Sequence, residues 1–190
     1  MTYQIALFVH LMALLAATAA SAIVHFAAAR RAAAATLRDS MEWSRLMGAT
    51  ARVFPVAVLT LVATGAYMVA GRWGWSEGWI KAGFLGAFVL LASGAIMGKR
   101  GAAEARRNIQ RLQSATHELR NDRSTDRLAA VLSDANTGLA LAIALVMTIK
   151  PGFAASLGVL AIGAAAGTYR ALSGVRAGDS ISDTSEFEAA

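Results

Sequence analysis

The sequence predicts an all-α integral membrane bundle of about five transmembrane helices, with the N-terminus outside and the C-terminus cytoplasmic. Three observations carry that prediction. Residues 4–29, QIALFVHLMALLAATAASAIVHFAAA, contain no Asp, Glu, Lys or Arg, and Arg30-Arg31 closes the run; about 20 apolar residues are enough to cross about 30 Å of hydrocarbon. The 190-residue chain is 56% apolar with a mean hydropathy of +0.50, too high for an ordinary soluble domain. Its basic residues, lastly, fall almost entirely in alternate connections between apolar runs.

The first run has a feature of a secretory leader, because Ala20-Ser21-Ala22 resembles a small-residue cleavage site. A leader needs a positive n-region, and residues 1–9 carry no Lys or Arg, so the run reads as a retained span. Four more spans follow at 53–71, 79–98, 128–149 and 153–169, the last being rich in small residues. Lys150-Pro151-Gly152 separates the last two as a tight turn, since proline disfavours helical geometry in the residue before it. Residues 1–177 thus form one membrane domain, and the acidic, polar tail 178–190 reads as disordered.

Positive charge tests the topology independently. Arg30, Arg31, Arg38, Arg45 and Arg52 border the first connection. Lys99, Arg100, Arg106, Arg107, Arg111, Arg120, Arg123 and Arg127 border the third, and Arg170 and Arg176 follow the last span. Only Arg72, Lys81 and Lys150 remain for the opposite side, which gives an odd number of spans with the basic loops inside. Trp73, Trp75 and Trp79 cluster at the outer ends of spans two and three, where amphipathic rings favour the headgroup layer.

Two inner connections read as helical. Asp39 followed by Glu42 suggests a capping box, so the second helix is expected to begin near Ser40, enter the membrane near Arg52 and kink at Pro55. Ala105, Ile109, Leu112 and Leu119 recur at helical spacing within the basic connection 99–127. Such a stretch either extends span three against anionic lipid headgroups or forms a solvated charged face.

Composition removes several functional classes. The chain has no Cys, which excludes disulfides, thiolate metal sites and cysteine nucleophiles. The formal charge of +6 lies in membrane-flanking loops, so the partner it implies is the lipid bilayer and no nucleic acid. There is no Walker loop, dinucleotide-binding glycine turn, HExxH or nucleophile elbow.

What remains is imidazole and a few polar groups inside spans, which are functional candidates by default. His10 and His25 are 15 residues apart, about 60° in net rotation and about 22 Å along a helix, so they share a side but lie in opposite leaflets. His117, the third histidine, falls in a connection, so two histidines of one chain cannot ligate a haem in the membrane. A His/Met haem b site centred on His10 is the alternative, with Met68 and Met147 at similar depth and Met47 and Met97 nearer His25. A homodimer with facing first helices is a second route. Imidazole and thioether also suit copper, although single scattered methionines are ordinarily packing material. Asp134 requires a partner if it lies within the inner leaflet, and Arg45 and Arg52, seven residues apart on one helix face, are the candidates; otherwise it caps the interface in water. Lys81 beside Trp79 reads as an outer-interface lysine that snorkels. Gly83, Gly86, Gly94, Gly163 and Gly167 read as helix-packing contacts.

His10 in FVHLMALLAATAA, Thr64-Gly65 in LVATGAYMV, Trp75 and Trp79 in WSEGWIKAGF, and MTIKPG at 147–152 resemble a group of bacterial integral membrane proteins of uncharacterised activity. More distantly, residues 1–152 are similar to the copper resistance protein D family and to haem-linked membrane protoporphyrinogen oxidases. The resemblance implies a bacterial cytoplasmic membrane protein in which His10, Trp79 and Lys81 match the recurring histidine and Trp/Lys pair. It carries the expectation of a small haem-b-associated or redox-linked membrane protein; the competing expectation is a cofactor-free membrane scaffold or subunit, with copper handling third.

Overall fold

The computed structural model describes the backbone of residues 1–113 and 123–187. The described residues are almost all helical, with no strand among them. Helix α1 spans Thr2–Ala32, α2 Leu37–Ala51, α3 Val53–Met68, α4 Gly78–Gln113, α5 Arg123–Ile149 and α6 Phe153–Phe187, with a π-helical turn at Val69–Trp73 between α3 and α4. Five helices are long and apolar enough to cross a bilayer: Thr2–Ala32, Arg38–Trp73, Gly78–Gly101, Leu128–Ile149 and Phe153–Ser173. Each sequence-predicted span falls within one of them. His117, Leu119 and Arg120 lie outside the described residues.

The second spanning element is built from two helices because of Pro55. Its ring occupies the space of the carbonyl four residues earlier and it donates no N–H, so the helix breaks at Arg52 rather than bending at the proline. The Arg52 N–H accordingly bonds the Ala49 carbonyl at 3.3 Å, a tightened final turn. The start of α2 also differs from expectation. Its cap is Thr36, whose Oγ1 accepts from the Asp39 N–H at 3.2 Å, three residues before the expected cap at Asp39. At the other end of the chain, α6 continues to Phe187, through most of the tail that composition marks as disordered. No proline follows Pro151, and extending a formed helix needs no new nucleus.

The helices sort into two packing groups. In one, α1 packs along α2 and α3; in the other, α5 lies between α6 and α4. Buried Trp79, Ile80, Ala82, Leu139, Val146 and Leu160 form the apolar core of the second group. Apolar residues on α1 such as Ile5, Phe8, Leu11 and Leu15 are exposed, as expected of a helix whose outer surface meets lipid tails.

Helices α5 and α6 come into backbone contact. A Cβ at Gly138 would strike the Gly163 carbonyl, and one at Gly167 would strike the Asp134 carbonyl, so the two backbones touch. Lipid tails are as apolar as leucine, so close van der Waals fit of this kind, rather than hydrophobic driving force, holds neighbouring helices together. Gly138→Ala is expected to lower the unfolding free energy of detergent-solubilised protein by about 1–3 kcal/mol, the usual penalty of overpacking. Gly94→Ala, where a Cβ meets open space, is the control and should not lower the thermal midpoint.

Candidate functional site

Among the described residues, His10 and His25 each anchor a polar site inside the helical bundle, and a tryptophan cluster closes one of its ends. His10 sits at the seam of α1 and α3. Its Nδ1 is 2.9 Å from the Thr64 hydroxyl, and its ring lies over Gly65, where an added Cβ would be 3.7 Å from Cε1. The Thr64 hydroxyl has one proton and faces the Thr60 carbonyl at 2.6 Å and the Leu61 carbonyl at 3.3 Å. When that proton stays on a carbonyl, Thr64 accepts from His10 Nδ1–H and Nε2 carries the lone pair. An imidazole held at one nitrogen by a hydrogen bond and free at the other is the form that ligates metals and haem iron.

Of the two methionines grouped with His10, only Met68 belongs to this seam: it stands four residues after Thr64, on the same face of α3. Met147 is a correction. Its terminal methyl packs where a side chain at Gly83 would stand, between α5 and α4, so it fills the core of the other group.

The second site joins α1, α5 and α6 toward the arginine-rich end. His25 Nε2 is 2.9 Å from Thr137 Oγ1, and Ser21 Oγ reaches the same oxygen at 3.2 Å. His25 Nδ1 faces Asp134 Oδ1 at 3.4 Å, and Arg170 donates to that same carboxylate oxygen. The Asp134 side chain is 12% exposed against 66% for Arg170, so the anion is enclosed and the guanidinium covers it from the rim. Neither expected arrangement holds: Asp134 is not a water-facing cap, and its partners are Arg170 and His25 rather than Arg45 and Arg52, which are exposed. Arg45 instead lines an open groove on α2 with Arg38, Met41 and Glu42. The neighbouring Asn136 faces α4, accepting from Ser93 Oγ at 2.8 Å and donating to Met97 Sδ at 3.6 Å.

The third cluster lies at the tryptophan end. Trp73 and Trp79 meet edge to face at 5.5 Å, and the Lys150 ammonium sits 4.0 Å from the Trp73 centroid and 5.7 Å from that of Trp79. Lys150, not Lys81, is thus the cation that the tryptophans hold; Lys81 is exposed. Lys150 has φ 55°, and its N–H still closes the last turn of α5 on the Val146 carbonyl at 2.8 Å. A left-handed residue other than glycine costs about 1–2 kcal/mol, and a cation over a tryptophan face returns a comparable amount.

The sequence held a signal for the Asp134 partner. Asp134 and Arg170 each stand 18 residues from Gly152, so an antiparallel hairpin turning there brings them to the same height. Among the described residues, no group of three or more His, Cys, Asp or Glu side chains converges on a metal-sized site. Comparison with protein-family models, curated proteins and solved structures finds no match to this chain.

Arg170→Gln leaves an enclosed carboxylate with only a histidine beside it and should lower the unfolding free energy by about 1 kcal/mol or more. Arg45→Gln, which touches no such group, should stay within about 0.5 kcal/mol of the parent. Equal effects of the two would remove the assignment of Arg170.

Proposed function

We propose that this chain is a small redox-linked membrane protein that binds haem b through Nε2 of His10. The observation that carries the reading is the 2.9 Å contact of His10 Nδ1 with Thr64: with the hydroxyl proton on the Thr60 carbonyl 2.6 Å away, His10 donates from Nδ1 and keeps a bare Nε2 within an apolar helix. Imidazole in that state is an axial ligand for haem iron. Thr64 orients the ring, which packs over Gly65. Met68, one turn beyond Thr64 on α3, would be the candidate for a second ligand. Haem, when bound, supplies one-electron transfer; His10 and Thr64 supply attachment and orientation.

Absorbance of detergent-purified protein supplied with haem tests the reading. A Soret band is expected, and His10→Ala should abolish it. Thr64→Val keeps the ligand but frees the ring and the tautomer, so haem affinity should fall about 10- to 100-fold, the usual effect of removing a partner behind a ligating histidine. A preparation that stays colourless after haem is supplied overturns the reading and leaves a cofactor-free membrane scaffold or subunit.

The same proposal sets the protein in a bacterial cytoplasmic membrane with its arginine-rich end inside, where Arg38 and Arg45 meet anionic headgroups. The asymmetry of basic residues between the two sides supports it. A reporter enzyme fused after Ala190 should be active in the cytoplasm; a periplasmic reporter reverses the orientation.

A further inference from the structure

The tryptophan end of the bundle carries three cations, Arg72, Lys81 and Lys150, and one acid, Glu77. Among the described residues, no carboxylate stands within ion-pair distance of any of the three. Two of them lie against aromatic faces instead. The Lys150 ammonium is 4.0 Å from the Trp73 centroid, and the Arg72 guanidinium is 5.6 Å from the centroid of Tyr3.

Four parts of the chain build this arrangement. Tyr3 comes from the first turn of α1, Arg72 and Trp73 from the π-helical turn, Trp79 from the start of α4, and Lys150 from the turn between α5 and α6. That last turn is pinned from two sides. The buried Ser156 hydroxyl lies 3.2 Å from the Pro151 carbonyl and 3.0 Å from the Gly152 carbonyl. Gly78 lets the start of α4 approach the Phe153 backbone so closely that a Cβ there would collide with it. Lys150 is therefore presented to the tryptophans by a fixed scaffold, at φ 55°.

A ring face meets one side of a cation and leaves the remaining N–H groups for other acceptors. Both Lys150 and Arg72 are exposed, so those donors open outward. Tryptophan rings favour the headgroup layer, which is where lipid phosphates lie. We propose that Arg72 and Lys150 form a binding site for the phosphate of an anionic phospholipid, with the Trp73 and Trp79 rings beneath it. Phosphate oxygens accept charge-assisted hydrogen bonds from ammonium and guanidinium alike. The surroundings favour a lipid over a free anion: Ile149 and Phe153, on either side of the lysine turn, and nearby Trp75 are exposed apolar surface for acyl chains. The excess of positive charge at this end favours an anionic headgroup over choline, whose own cation would meet Lys150.

Fluorine NMR of the full chain carrying 5-fluorotryptophan reads this end separately, because the chain has four tryptophans and the fourth, Trp43, lies on α2. Titrating dioleoyl phosphatidylglycerol into the protein in neutral detergent should shift the Trp73 and Trp79 resonances to saturation. Dioleoyl phosphatidylcholine should move them far less at equal concentration, and inorganic phosphate should leave them in place. Lys150→Gln and Arg72→Gln should each weaken the response to phosphatidylglycerol about fivefold, the usual effect of one basic residue at an anionic membrane surface. Lys81→Gln removes an equal charge from the same end, where no ring holds it, and should cost less than either. The proposal is overturned if the parent resonances do not saturate with phosphatidylglycerol, or if phosphatidylcholine or inorganic phosphate moves them equally. It is also overturned if Lys150→Gln and Arg72→Gln bind as the parent does, or no more weakly than Lys81→Gln. The titrations of the parent chain decide between lipid and free anion even where a substituted protein fails to fold.

Discussion

Gly138, Gly163 and Gly167 allow the backbones of α5 and α6 to touch, and the pairing of Asp134 with Arg170 follows from that contact. The hairpin through Pro151-Gly152 brings the two helices together, and the absence of side chains at the seam fixes how closely and at what rotation. Arg170 then falls opposite Asp134. With its charge covered by Arg170, Asp134 can sit largely enclosed and turn toward α1, where His25 and Thr137 complete the junction. An unpartnered carboxylate at this depth would be costly, so the glycine seam and the ion pair depend on each other.

The two histidines of α1 both follow a valine and meet a threonine hydroxyl that also contacts a carbonyl one turn back, Thr60 for Thr64 and Ser133 for Thr137. His10 meets its threonine through Nδ1; His25 meets its threonine through Nε2 and turns Nδ1 to a carboxylate. The difference lies in which ring nitrogen the neighbouring helix reaches.

The spans were readable because a run of apolar residues of sufficient length is a property of the chain alone. The helix break near Pro55 was readable for the same reason, although it occurs at Arg52, where the proline ring acts. The cap was misplaced because Asp39 and Glu42 offered a plausible motif while Thr36 offered another, and only the backbone shows which hydroxyl meets an N–H. The His25 partner of Asp134 was hidden because α1 is apolar all round, so its rotation and neighbours are not encoded in its pattern. Lys150 was assigned to the outer side without its role, since contact with Trp73 needs a left-handed lysine that sequence does not announce.

The π-helical turn at Val69–Trp73 has a geometric effect on that same end. The Gly74 N–H reaches back five residues, to the Val69 carbonyl at 3.0 Å, so the turn holds one residue more than an α-helical turn closed four residues back. An added residue advances the azimuth of whatever follows by about 100°. Trp73 is brought onto Trp79 and Arg72 over the Tyr3 ring. This single local dislocation resets the angular phase of the strand of chain leaving α3, allowing one continuous rod to serve lipid along its length and an aromatic collar at its tip.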